Sequence, residues 1–123
     1  MTQEDRQILL KDLSSRLPYG VRYRRFAWDD KREEECISAK IYSISPDGYV
    51  RNYHKDESDY IDNVRPYLFP LSSITKKRLE ELSEYIDIKN AYVAVDLLNS
   101  HHIDYRGLIE KGLAIDATGL NIY

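Results

Sequence analysis

The chain has 123 residues, 42% of them hydrophobic and 32% charged, with a formal net charge of -3. That size predicts a single domain over 1–123, and the composition excludes a disordered polymer. Cys36 is the one cysteine, which excludes an internal disulfide and fits a reducing compartment.

No apolar run reaches the length of a membrane span and no signal-peptide pattern opens the sequence, so a soluble cytoplasmic protein without a membrane partner is expected. Charge is unevenly spread: 1–28 holds six basic and three acidic residues, 29–63 five and ten, and 64–123 seven and eight. The acidic balance argues against a general nucleic-acid binder, although cations concentrate just ahead of the acidic segment. Eleven tyrosines stand against two phenylalanines and one tryptophan. Tyrosine serves half-buried strands and binding surfaces alike.

Thr2-Gln3-Glu4-Asp5 has the pattern of a capping box, and Leu9, Leu13 and Leu17, flanked by Ile8, form one apolar stripe, predicting a helix to about Leu17. Pro18 and Gly20 end it. Val21 to Trp28 reads as a strand. Cys36 to Ile44 reads as a second, with Ile37, Ala39 and Ile41 alternating toward one face. Ser45-Pro46-Asp47-Gly48 is a hairpin turn, and Tyr49 to His54 the returning strand. A short strand is expected near Tyr60–Val64. Arg65 to Leu71, bounded by prolines, reads as an extended connection that leaves the sheet and buries Leu68 and Phe69. Ser72, Ser73 or Thr75 caps a helix to about Ile86, with Leu79, Leu82 and Ile86 on one face. Its first turn, Lys76-Lys77-Arg78, opposes the helix dipole, either as solvated charge or as an anion site. Ala91 to Val95 fits strand or helix. Asp96 can cap a helix through His102, and Asp104 another through Lys111, stopped by Gly112.

The expected fold is therefore α+β: an N-terminal helix, a small antiparallel sheet of three to four strands within 1–64, and a helical C-terminal half over 65–123. Three stretches, Asp12 to Val21, Val64 to Ser73 and Asp96 to Ala114, together resemble a family of short, uncharacterised proteins of Bacteroidales gut bacteria and their prophages. That family usually carries an aromatic where Leu97 stands and acids where Lys76-Lys77-Arg78 stand, so an anion site there is not implied by the resemblance. What is implied is a bacterial or prophage cytoplasmic context and a small stand-alone domain. No catalytic residue carries over.

Two chemistries compete. Arg22, Arg24 and Arg25 lie among Tyr19, Tyr23, Phe26 and Trp28, with Arg22 and Arg24 on one strand face, a pattern that can hold phosphates and stack bases; the acids that follow could equally pair those arginines. His101, His102 and Asp104 are residue types that bind zinc or manganese, with His54 or Glu110 as a further ligand, and they carry the alternative of a metal-dependent hydrolase or nuclease. Adjacent histidines on a continuing helix diverge by about 100°, which opposes a shared ion. Against the metal stands a structural reading, with one histidine packed and Asp104 a cap. Arg106 has no evident partner in sequence. No cofactor motif is present. The reading favoured is a non-catalytic binding or accessory protein that contacts a protein or nucleic-acid partner through a tyrosine-rich or arginine-rich surface, with Arg22, Arg24, Trp28, His101, His102 and Arg106 as candidate binding residues.

Overall fold

A computed structural model of the chain describes residues 1–25, 38–53, 58–77, 80 and 91–123. Helix α1 (Gln3–Arg16) opens with the expected capping box. The Asp5 amide donates to the Thr2 hydroxyl at 3.1 Å, and the Thr2 amide to the Asp5 carboxylate at 3.2 Å. Leu9 and Leu13 are fully buried, so the stripe faces the core as its spacing requires. A 3-10 turn over Leu17–Tyr19 ends at Gly20 in the left-handed conformation.

Seven strands form one mixed sheet. Four are β1 (Arg22–Arg25), β2 (Ala39–Ile44), β3 (Tyr49–Asn52) and β4 (Ser58–Tyr60). The others are β5 (Val64–Pro70), β6 (Ile103–Asp104) and β7 (Ile115–Asp116). Their order is β4-β3-β2-β1-β5-β6, with β7 also pairing β5. Strands β4 to β5 along that order are antiparallel, whereas β6 and β7 run parallel to β5. The Ser45–Gly48 turn closes β2 onto β3 as expected, and a Cβ on Gly48 (φ +94°) would sit 3.2 Å from the Tyr60 ring. Inward residues of the sheet, Val21, Tyr23, Ala39, Ile41, Val50, Val64 and Leu68, pack with Leu9 and Leu13 of α1 and with Leu108 and Leu113.

This architecture corrects the expected fold. The sheet is larger and mixed, and the C-terminal half is not helical: among the described residues past 90 it holds the single helix α2 (Ala91–Ser100) and two strands. The segment 65–71 does not leave the sheet; it is β5, which joins the meander to the C-terminal strands. Its prolines hide this, because proline cannot donate to a ladder. Here β1 pairs Val64 to Pro66, and the parallel partners begin only at Tyr67, so neither proline interrupts a stretch paired on both sides. Strand β4 lies at Ser58–Tyr60, and 61–63 is a 3-10 turn, where a strand over 60–64 was expected. Helix α2 starts before Asp96, which is exposed within it, and Asp104 begins no helix. Lys76, Lys77 and Glu80 are helical. The rest of that helix, with Arg78, Leu79, Leu82 and Ile86, lies outside the described residues, as do Phe26, Trp28, Cys36, Ile37 and His54. Among the described residues no helix is long and apolar enough to cross a membrane.

Two backbone hydrogen bonds flank the parallel ladders: Phe69 donates to the His102 carbonyl and Ala117 to the Leu68 carbonyl, each at 2.8 Å. Both amides are expected to be strongly protected in hydrogen-exchange NMR, at the level of the β2–β3 ladder. Exchange at loop rates would mean that 65–71 is a connection after all.

Candidate functional site

The stretch 97–114 converges on the end of α1. At about 100° per residue, Asp12 and Arg16 fall about 60° and 20° from Leu9, inside the apolar stripe. Both are fully buried. Arg16 Nε and Nη2 donate to the two Asp12 carboxylate oxygens at 2.8 and 3.1 Å, and Nη2 also donates to the Ile103 carbonyl of β6 at 2.6 Å. Arg106 Nε lies 3.4 Å from the same carboxylate. The two guanidinium groups sit over the ring of Tyr105, at 5.2 and 4.9 Å from its centroid. The Tyr105 hydroxyl donates to the buried Asn99 side chain at 2.9 Å. Arg106 therefore has its partner in Asp12, which sequence proximity could not reveal.

The histidines separate. Helix α2 ends at Ser100, and His102 takes a left-handed backbone (φ +58°), the position where glycine commonly ends a helix. His101 is exposed; His102 is buried, its ring stacked on Tyr123 at 3.7 Å between centroids. Asp104 is committed to backbone: its two oxygens accept from the Leu108 and Ile109 amides, each at 2.9 Å. Burial pushes the His102 pKa down to about 4, with the charges of Arg16 and His101 acting in the same direction. Among the described residues, no group of three His, Cys, Asp or Glu converges to hold a metal.

The other sequence-predicted residues lie on the sheet. Tyr23 and Arg25 point inward: the Tyr23 hydroxyl donates to Asp59 at 2.6 Å and accepts from Asn52 at 3.1 Å, and Arg25 pairs with Asp59 at 3.0 Å. Burial, aided by the bond to Asp59, pushes the Tyr23 hydroxyl pKa upward. Tyr23 is thus withdrawn from the stacking role its sequence neighbourhood suggested. Arg22 and Arg24 point to the opposite face, as the period of two requires, and Arg22 stands beside Lys40 in register. Trp28 lies outside the described residues.

That outer face holds residues the sequence reading passed over. Tyr42, Tyr49, Tyr53 and Tyr60 are 45, 44, 64 and 37% exposed. They form two tilted contacts, Tyr42 with Tyr53 and Tyr49 with Tyr60, each 5.4 Å between ring centroids. Lys40 Nζ lies 5.3 Å from the Tyr53 ring centroid, and the Arg51 guanidinium 6.0 Å from that of Tyr42. The available signal was the alternation itself: with Ala39 and Ile41 inward, Lys40 and Tyr42 must face out.

Compared with protein-family models, curated proteins and solved structures, the chain matches none.

Asparagine at Asp12 would leave two guanidinium groups in a buried site without their anion. Asp12→Asn is expected to cost about 3–5 kcal/mol by denaturant unfolding, far more than Asp62→Asn at the partly exposed Arg6–Asp62 pair. His102 supplies a pH signature. It is neutral when folded and takes up a proton near pH 6.5 when unfolded, so stability falls as pH drops from 6.5 toward 4. Between pH 7 and 5 the wild type should lose about 2 kcal/mol more than His102→Asn. Equal losses would mean that His102 ionises as freely folded as unfolded.

Proposed function

We propose that this chain is a non-catalytic binding protein of a bacterial or prophage system, and that its working surface is the outer face of β1–β4. The observation that carries this reading is the quartet of exposed tyrosines held in two contacts, with Lys40 and Arg51 against two of the rings. Exposed tyrosine is costly to leave in water, and on a sheet its ring loses little conformational freedom when a partner covers it. The residues that would serve catalysis are used otherwise: Asp104 on backbone amides, and His102 in a ring stack beside Arg16. Arg106 pairs with Asp12 at the end of α1 and His102 stacks on Tyr123, so the working residues are Arg22 and Arg24 with the tyrosines.

The test is capture from a Bacteroidales extract with the wild type and with Tyr42→Ala/Tyr53→Ala, analysing retained protein and nucleic acid alike. The wild type is expected to retain a partner that the double variant loses. Identical retention by both forms overturns the assignment of this face. Bound stoichiometric zinc, or metal-dependent nuclease activity lost in His102→Asn, would instead favour a hydrolase.

A further inference from the structure

We infer that residues 118–123 form a latch across the seam of β1 and β5, and that protonation of His102 releases it while the rest of the fold stays closed. This device goes beyond the proposed binding role.

The latch has one fastening. It leaves the sheet after Ala117, whose amide is bound to the Leu68 carbonyl. Residues 118–121 are exposed and Ile122 is half-buried. Among the described residues, the hydrogen bonds that tie this segment back to the sheet belong to the Tyr123 hydroxyl. It accepts from the Arg22 amide at 2.9 Å and donates to the Tyr67 carbonyl at 2.7 Å. In the β1–β5 register Tyr23 faces Pro66, so the next rung joins Arg22 to Tyr67. The hydroxyl is inserted at that rung, between the two backbone groups. Lifting Tyr123 therefore frees the segment without breaking a strand.

His102 is the group that senses the proton. Its ring lies against Tyr123, parallel to within 11° and 3.7 Å between centroids. Its backbone is held separately, the carbonyl accepting from the Phe69 amide, so the ring can move with β6 still paired. Nδ1 is buried and has no hydrogen-bond partner among the described residues. An imidazolium carries an N–H on both nitrogens, so protonation leaves a buried donor unsatisfied whichever tautomer precedes it.

The charges around the ring act in the same sense. Arg16 of α1 and the adjacent His101 both oppose a proton there, and Arg22 of β1 adds a cation on the Tyr123 side. The nearby carboxylates are engaged: Asp12 with Arg16 and Arg106, Asp104 with the Leu108 and Ile109 amides, and Asp116 with Thr118. Tyr67 and Phe69 of β5 and Tyr123 itself are uncharged at and below neutral pH. The Tyr123 ring face attracts an imidazolium, an effect smaller than the cost of burying an unpaired charge. With the latch lifted, the ring regains water and moves from about 4 toward its ordinary 6.5, so the open form binds the proton better. Opening therefore grows as pH falls through 6.5 and levels off below about 4.

The test is native-state hydrogen exchange by NMR on the whole chain, following the Arg22 amide against the Val50 amide inside β3. Corrected for intrinsic exchange, Arg22 protection is expected to fall about 20-fold between pH 7 and 5. Its urea dependence should stay well below that of Val50, the mark of a local opening. His102→Asn, which tolerates the left-handed backbone, should abolish the fall while keeping Arg22 protected at pH 7. Tyr123→Leu should leave Val50 protected and raise the His102 pKa from about 4 toward 6.5 in an NMR titration. Arg22 exchange that matches Val50 in rate and urea dependence overturns the inference, because opening is then global. So does protection that is constant with pH, a fall that persists in His102→Asn, or a His102 that still titrates at about 4 without Tyr123.

Discussion

The C-terminal part of the molecule is located by one buried ion pair. Asp12 and Arg16, one helical turn apart on α1, are buried against each other, and both also reach the chain past residue 100. Arg16 holds the Ile103 carbonyl at 2.6 Å, Asp12 draws in Arg106, and Tyr105 lies beneath both guanidinium groups. A buried pair returns little net stability over an apolar replacement. Its bonds are directional, however, and fix which carbonyl and which ring meet the helix end. The parallel strand β6 begins at the residue Arg16 holds, so the change from an antiparallel meander to a mixed sheet is anchored at this point.

The two faces of the sheet divide the polar chemistry between them. Inward polar groups gather in two sets: Tyr23, Arg25, Asn52 and Asp59 in the meander, and Asp12, Arg16, Tyr105 and Arg106 beneath α1. Outward positions of the meander among the described residues carry exposed rings and cations. Tyr123 links the regions. Although 43% exposed as a residue, it places its hydroxyl between two strands, accepting from the Arg22 amide at 2.9 Å and donating to the Tyr67 carbonyl at 2.7 Å. Burial of that end pushes its pKa up to about 12. The abundance of tyrosine thus has more than one cause: some fill the core, some anchor backbone, and four face water on one surface.

Local signals were legible in sequence, and remote ones were not. The capping box, the α1 stripe, the Ser45–Gly48 turn and the alternation along β2 each depend on neighbours within a few residues, and each appears in the structure. Strands β6 and β7 are two residues long, too short to show a period, and exist because β5 lies beside them. The charges inside the α1 stripe, Asp12 and Arg16, were not singled out in sequence, although their i, i+4 spacing is that of a pair. Asp104 was correctly legible as a ligand for backbone amides, but the segment it organises is a chain of turns rather than a helix. Of the site residues, Arg22 and Arg24 were placed on the correct face by period alone. The same period places Tyr42 outward, whereas the ring pairs Tyr42–Tyr53 and Tyr49–Tyr60 appear only once the strands are set in register.

The bonds that unite the two halves also determine when the fold can be completed. The β2–β3 hairpin closes over a four-residue turn, whereas the Arg16–Ile103 bond joins residues 87 apart and the Tyr123–Arg22 bond residues 101 apart. On loop-closure entropy alone, the first of these long links costs about 3 kcal/mol more than the hairpin turn. Pairings of such long sequence separation form slowly compared with local ones. Until the distant segment docks, Asp12 and Arg16 have each other but lack their remaining contacts, and the edge of β5 that receives β6 is open to other strands. The same late closure that gives the sheet its mixed character thus sets the interval in which a newly made chain is most exposed to mispairing.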